Sequence, residues 1–290
     1  MVGVDVSLRP WTWAAPRGGR WLFGDLPDGD PARALREALA SSHVREKAVA
    51  LCIPSRSVVW DAIPGLRAAP RQARKAAALA AAARLRAAAR DVVVSVADAR
   101  DGVTYVGAER ATVEAAVAPW LRAGFSVPVV EPAAVSLLRG IGSDAPVVVV
   151  RTGAGEVEIV AGSRDRLLFA RHLPLPEEAG QADAVRLEVD ATIDAARKEG
   201  AAIERVLVSG RGDLGALAAA FAGRAAAAAL SPAHRAPEVP SWALAAASAA
   251  LWRAGAPASR QREQRAGGVF ERLLAAARRR RWREGEDHAA

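Results

Sequence analysis

The stretch that decides the fold is Val147–Leu175, "VVVVRTGAGEVEIVAGSRDRLLFARHLPL". It opens on an unbroken β-branched run, the pattern of a strand buried on both faces. "GEVEIVAG" and "RLLFARHLPL" then alternate apolar with polar, as half-buried strands do. Residues 2–26 read the same way: "VGVDVS", "WTWAA" and "RWLFGDL" follow one another, with "PRGG" as the turn between the last two. Three strands in the same order and spacing, stated twice in one chain, indicate a duplicated architecture.

Each strand set leads into helix and strand. After the first come a helix at Pro31–Ser42, with proline at its start, and the buried strand "KAVALCIP". "SVVWDAIPGL" reads as a strand, followed by a long alanine-arginine helix from about Pro70 to Arg90 and strands in "DVVVSVADARDGVTYVGA" around an Asp-Gly turn. Helix Thr112–Ala123, capped by Gly124, strand "FSVPVVEP" and helix "AAVSLLRGIG" complete the first half. After the second set come a helix from about Asp183 to Glu199, strand "ERVLVSG", helix "DLGALAAAFAG", strand "AAAAALSP" and helix "SWALAAASAALWRAG". The expected fold is α/β, two βββαβα lobes. The first lobe takes residues 1–55 and 111–143, with an inserted α+β subdomain at 56–110. A shortened second lobe takes 144–257, and a basic tail 258–290.

Composition bounds the function. With 290 residues, 51% hydrophobic and 25% charged, the chain has the makeup of a globular protein. Much of the apolar count is alanine, so Val, Leu, Ile and Trp are expected to supply the core volume. The net charge is +8, almost all of it arginine, which suits an anionic partner or reflects a compositional bias toward alanine and arginine. The single cysteine, Cys52, excludes an internal disulfide framework and reads as a small buried hydrophobe. No leader pattern and no membrane-length apolar run occur, which points to the cytosol. The four histidines share no metal-ligand spacing, and no Ser–His–acid frame appears.

The arrangement resembles the actin-like pilus-assembly protein PilM and the cytosolic part of the type II secretion protein GspL. The residues that carry the resemblance are "VGVDVSLRP", "HVREKAVALCIPSRSVVWDAIPGL", "WLRAGFSVPVVEPAAVSLLRG", the Val147–Leu175 hairpins and "IERVLVSGRGDLGALAAAF". In ATP-binding relatives of this fold, two turns grip the phosphates from opposite lobes, and carboxylates hold magnesium. The resemblance places Asp5 and Ser7 in the first turn, Arg151, Thr152, Gly153 and Gly155 in the second, and Gly210, Arg211 and Gly212 beside the adenosine.

These turns depart from the nucleotide-binding pattern. The first lacks the glycine after Val6, and Pro10 removes a backbone donor. Arg151 stands where the pattern has aspartate. That exchange is worth roughly 8 kcal/mol at 4 Å and an effective dielectric near 20, before solvent screening, and its sign opposes a metal. Arg211 is inserted between the two glycines. The expectation is a degenerate cleft with no cofactor and no catalysis, in which Arg151 pairs with Asp5. The rival expectation is an ATPase or sugar-kinase relative using ATP and Mg²⁺.

Two basic stretches remain. No acidic residue lies between Ala62 and Arg90, where Arg67, Arg71, Arg74, Lys75, Arg84 and Arg86 read as a solvated helix face or as a face for a partner or an anionic membrane. In the tail, Phe270, Leu273 and Leu274 precede Arg278, Arg279, Arg280 and Arg281, a basic amphipathic pattern suited to a membrane surface or a groove. The resemblance implies a cytosolic scaffold, peripheral to the inner membrane, that binds a PilN-like cytosolic segment of a membrane-anchored pilus or secretion platform protein. Nothing resembles a nucleic-acid module, so no nucleic-acid partner is expected.

Overall fold

The computed structural model describes residues 1–99, 102–175, 181–212, 214–221, 225–229 and 238–252. The tail residues Phe270, Leu273, Leu274 and Arg278–Arg281 lie outside the described residues. The chain divides into two compact units. Most of both lobes falls in the first (Met1–Arg56, Arg122–Phe125 and Glu131–Trp252), while Ser57–Leu121, which contains the insertion, and Ser126–Val130 of the first lobe group in the second.

The duplication is explicit in the strand order. In the first lobe β1 (Val2–Asp5) pairs antiparallel with β2 (Trp11–Arg17) and parallel with β4 (Ala48–Ile53), and β2 pairs antiparallel with β3 (Arg20–Leu26). With β8 (Ser126–Pro132) the order is β3-β2-β1-β4-β8. The second lobe repeats it. Here β9 (Val147–Gly153) pairs antiparallel with β10 (Glu156–Ser163) and parallel with β12 (Val206–Gly210), while β10 pairs antiparallel with β11 (Arg166–Pro174). The short β13 (Ala225–Ala227) completes the order β11-β10-β9-β12-β13. The buried strands β1, β4, β9 and β12 thus occupy interior positions, where both faces are covered.

Helices α4 (Ala133–Ile141) and α7 (Leu244–Ala250) share one core with both sheets: Ala14 and Trp21 from the first, Val147, Val149, Val160 and Leu207 from the second, Leu137 and Leu138 from α4 and Leu244 and Ala247 from α7. The far face of the second sheet packs on α5 (Gln181–Lys198) and α6 (Leu214–Ala219) through Val185, Val189, Ile193, Leu217 and Phe221. On the first lobe α1 (Pro31–Ser41) turns Leu35 and Leu39 inward, and the Asp30 side chain caps its first turn at Arg33 N–H, 3.0 Å away.

The expectation that large residues alone fill the core is corrected at α7. Every residue of "LAAASAA" is buried, so its alanines are core. Small side chains let the helix backbone approach β1 at Gly3, where a Cβ would stand 1.7 Å from Ala246 O. Polar ties fix the contact: Ser136 Oγ donates to Ala245 O at 3.0 Å, and Arg139, forked onto Glu131 at 2.6 Å twice, also donates to Ser248 O at 3.2 Å.

In the second unit β5 (Val58–Pro64), β7 (Gly102–Glu109) and β6 (Val92–Ala99) form an antiparallel sheet in the order β5-β7-β6. Helix α2 (Pro70–Leu85) covers one face, burying Ala77, Ala81 and Ala82 against Val92, Val94 and Tyr105. The helix ends earlier than the expected Arg90. Arg86 adopts φ 54°, its N–H and that of Ala87 both return to Ala82 O, and Ala89–Asp91 forms a separate 3₁₀ turn. The first-lobe segment expected to begin at residue 111 also starts within this unit, because α3 (Arg110–Arg122) groups with the insertion as far as Leu121.

The Gly3 contact is the most exacting in the fold. Gly3→Ala should destabilise the first unit by about 2–4 kcal/mol, since neither β1 nor α7 can retreat without opening the core. Urea titration followed by tryptophan fluorescence reads this as a lowered midpoint, and an unchanged midpoint would show that α7 sits farther from β1.

Candidate functional site

The two lobes meet at the ends of their central strands, β1 and β9. Asp5 closes β1 and is 2% exposed; Arg151, near the end of β9, is 4% exposed. One carboxylate oxygen of Asp5 accepts from Ser7 N–H at 2.9 Å and Ser7 Oγ at 2.5 Å. The other accepts from Arg151 Nη2. The other terminal nitrogen of Arg151, Nη1, donates to Glu158 Oε2 at 2.8 Å and Ser7 Oγ at 3.1 Å. The expected Asp5–Arg151 pair is therefore present, and it is one side of a buried triad. Burial alone would lower the arginine pKa, but the charges of Asp5 and Glu158 outweigh it and raise it, so the guanidinium stays cationic.

Glu158 is the residue that reading the sequence missed. It stands directly opposite Arg151 in the β9–β10 register. Opposite residues in an antiparallel pair share a face, so counting back from the tight turn at Ala154 and Gly155 would have found it.

Around the triad the turns close on each other. Ala154 N–H donates to Arg9 O at 2.8 Å, and a Cβ at Gly153 would stand 2.8 Å from the same oxygen. Gly210 holds φ +114° against Thr152, where a Cβ would lie 2.2 Å from Thr152 O. Thr152 Oγ1 donates to Arg211 O at 2.7 Å. The Arg211 side chain crosses to Asp25 of β3 and lies over the Trp242 ring, 4.1 Å from its centroid. Arg9 behaves alike, pairing with Asp28 and stacking on Trp11 at 4.0 Å. Gly155 and Gly212, both at positive φ, face open space. The cavity left among Asp5, Thr12, Arg151, Thr152 and Arg211 measures about 20 Å³. That is room for about one water molecule.

A Mg²⁺-nucleotide does not fit these residues. Both Asp5 oxygens are engaged, a cation occupies the second turn, and the turns hydrogen-bond across the space that phosphates would need. Among the described residues no cluster of three His, Cys, Asp or Glu is placed to hold a metal. Cys52 is fully buried with its thiol pushed well above the usual range by burial, which makes it a core residue and not a nucleophile.

The other candidates lie apart from the triad. Arg67, Arg71 and Lys75 are exposed, Arg74 is half-buried, and Arg86 is exposed at the left-handed end of α2. Arg84 is engaged by Asp61 and by Trp60 O. A further cluster lies within the first unit: Glu156 Oε1 lies 3.1 Å from His172 Nε2 and 3.2 Å from Arg56 Nη1. Burial raises the Glu156 pKa, but the hydrogen bond and charge of His172, with Arg56, lower it overall.

Two lobes of identical strand order, packed on shared helices with the ends of their central strands facing, define the actin-like fold. Comparison with known proteins agrees. No family model and no curated protein sequence matches the chain. Among solved structures it is similar to a PilM–PilN type IV pilus biogenesis complex, with a TM-score of 0.62 and 17% identity over 86% of this chain and 97% of that one. It is also similar to the cytoplasmic domain of EpsL, an inner membrane component of the type II secretion system of Vibrio cholerae, with a TM-score of 0.52 and 15% identity over 72% of this chain and 82% of that one. At these identities the likeness is one of fold.

Arg151→Met should cost about 3–5 kcal/mol, because Asp5 and Glu158 are left buried and uncompensated, and adding Asp5→Asn and Glu158→Gln should restore much of it. Thermal melts of the single and triple variants check this; equal melting of the triple and single variants would contradict it. The Glu156 cluster gives a pH dependence. With a folded pKa below its ordinary 4.5, Glu156 contributes stability that is present above that value and lost as pH falls through the lowered one. Glu156→Gln should flatten that part of the stability–pH curve.

Proposed function

We propose that this chain is a non-catalytic scaffold of an inner-membrane assembly platform, of the type IV pilus or type II secretion kind, working at the cytosolic face. Its task on this reading is to hold a short cytosolic segment of a membrane-anchored, PilN-like protein in a groove near the inserted subdomain. Main-chain pairing or apolar anchors, with charge, would supply the affinity. The observation that carries the reading is the Arg151 guanidinium in the second phosphate turn, bonded to the one carboxylate of the first. The likeness to a PilM–PilN complex and to the EpsL cytoplasmic domain supports the setting. Among the described residues no helix is long and apolar enough to cross a membrane, so a tether would come from the partner or from outside those residues.

The alternative is an ATPase or sugar-kinase relative that opens the same cleft for ATP and Mg²⁺. It requires Arg151 to leave Asp5 and Glu158, and the Ala154–Arg9 hydrogen bond to break.

Calorimetry separates the two readings. The cytosolic N-terminal peptide of the PilN-like protein from the same genome should bind with an affinity indifferent to Mg²⁺-ATP. Mg²⁺-ATP itself should give no heat, with the wild type or with Asp5→Ala. Saturable, Mg²⁺-dependent ATP binding lost in Asp5→Ala would establish the alternative.

A further inference from the structure

The solvent face of α2 carries basic side chains, and the helix has no acidic residue over Pro70–Leu85. Arg71, Lys75 and Leu79 follow at four-residue intervals, and so stand in one line along the helix, with Arg67 just before its first turn. This line lies opposite the Ala73, Ala77 and Ala81 stripe that packs on the sheet. Arg67, Arg71 and Lys75 are exposed, and Leu79, in the same line, is 56% exposed. Among the described residues none of these three cations has a carboxylate partner. The nearest acid along the chain on the N-terminal side, Asp61, is taken by Arg84. Elsewhere some exposed arginines do have one, as in Arg33–Glu37, Arg164–Asp144 and Arg197–Asp194.

We infer that this face of α2 docks on an anionic phospholipid surface, with the cations among the headgroups and Leu79 entering the interface. The charges are unpaired, long and flexible, and laid along a line with no groove or fixed acceptor geometry. That suits a fluid field of phosphates better than the set positions of an acidic peptide. A lone, largely exposed leucine amid cations gains nothing in water but is favoured at the headgroup–acyl boundary. The inference deepens the proposed placement beside the inner membrane and rests on that reading for its setting. Vesicle binding and partner-peptide binding fail separately, so loss of one leaves the other standing.

The test uses the full chain, its basic tail included, with phosphatidylcholine vesicles lacking or carrying phosphatidylglycerol. Each basic residue near an anionic surface is worth about fivefold in affinity. In co-sedimentation Arg67→Gln/Arg71→Gln/Lys75→Gln should therefore bind anionic vesicles on the order of a hundredfold more weakly than the wild type. Because these side chains make no core contact, the far-ultraviolet circular dichroism should not change. A fluorophore on Leu79→Cys reports the site directly, since Cys52, the only other thiol, is fully buried. Its emission should shift to the blue on anionic vesicles only, and the shift should vanish as salt approaches about 1 M, where screening is effective beyond roughly 3 Å. Undiminished binding by the triple variant overturns the inference. So does vesicle binding that leaves the label silent, which would assign the lipid contact to another part of the chain. A blue shift with soluble polyglutamate but not with vesicles also overturns it, in favour of an acidic protein partner.

Discussion

One buried guanidinium governs the junction of the two lobes. Taking Arg151 out of water is unfavourable by several kcal/mol, and only close, well-directed anions offset that. Asp5 and Glu158 supply the charge, and Ser7 shares both Asp5 and Arg151, so the polar atoms of the triad satisfy one another. Asp5 has a partner in the same chain. A cation that is part of the polypeptide does not dissociate as a metal does, so on the proposed reading the lobes are held together at any nucleotide concentration.

The packing of the lobes makes that position reproducible. Arg151 is placed by β9, whose valines face α4 and α7 on one side and α5 on the other; Asp5 is placed by β1, pinned by the approach of α7 at Gly3. The Ala154–Arg9 hydrogen bond, the Gly210–Thr152 contact and the Arg211 bridge to Asp25 lie around the same point. Arg151 and Arg211 each have an acidic neighbour in the opposite lobe, Asp5 and Asp25. On the proposed reading these contacts form one self-consistent set, as expected when a cleft is retained for its shape and not for its ligand.

Most of the fold is legible in the residues because it is written twice. The β-branched runs, the alternating hairpins and the proline and glycine stops fall at matching places in both halves, and their periods are local properties. The Asp5–Arg151 pair was legible through the resemblance, which implies that the two turns face each other. What stayed hidden depends on tertiary geometry. Alanine in α7 looks like filler until Gly3 shows that closeness was the requirement. The end of α2 at Leu85 depends on one left-handed residue, Arg86, with no glycine to signal it. Glu158 was within reach of hairpin counting, whereas the reach of Arg211 to Asp25 spans 186 residues and needed coordinates.

The central claim is that Arg151 occupies the cleft in place of a metal–nucleotide complex. A crystal structure of the chain grown with saturating Mg²⁺ and a non-hydrolysable ATP analogue tests it most directly. The account predicts Arg151 between Asp5 and Glu158, with Ala154 still bonded to Arg9 and no nucleotide between the turns. Density for a nucleotide with Asp5 turned to a magnesium ion, and Arg151 displaced from both carboxylates, would contradict it.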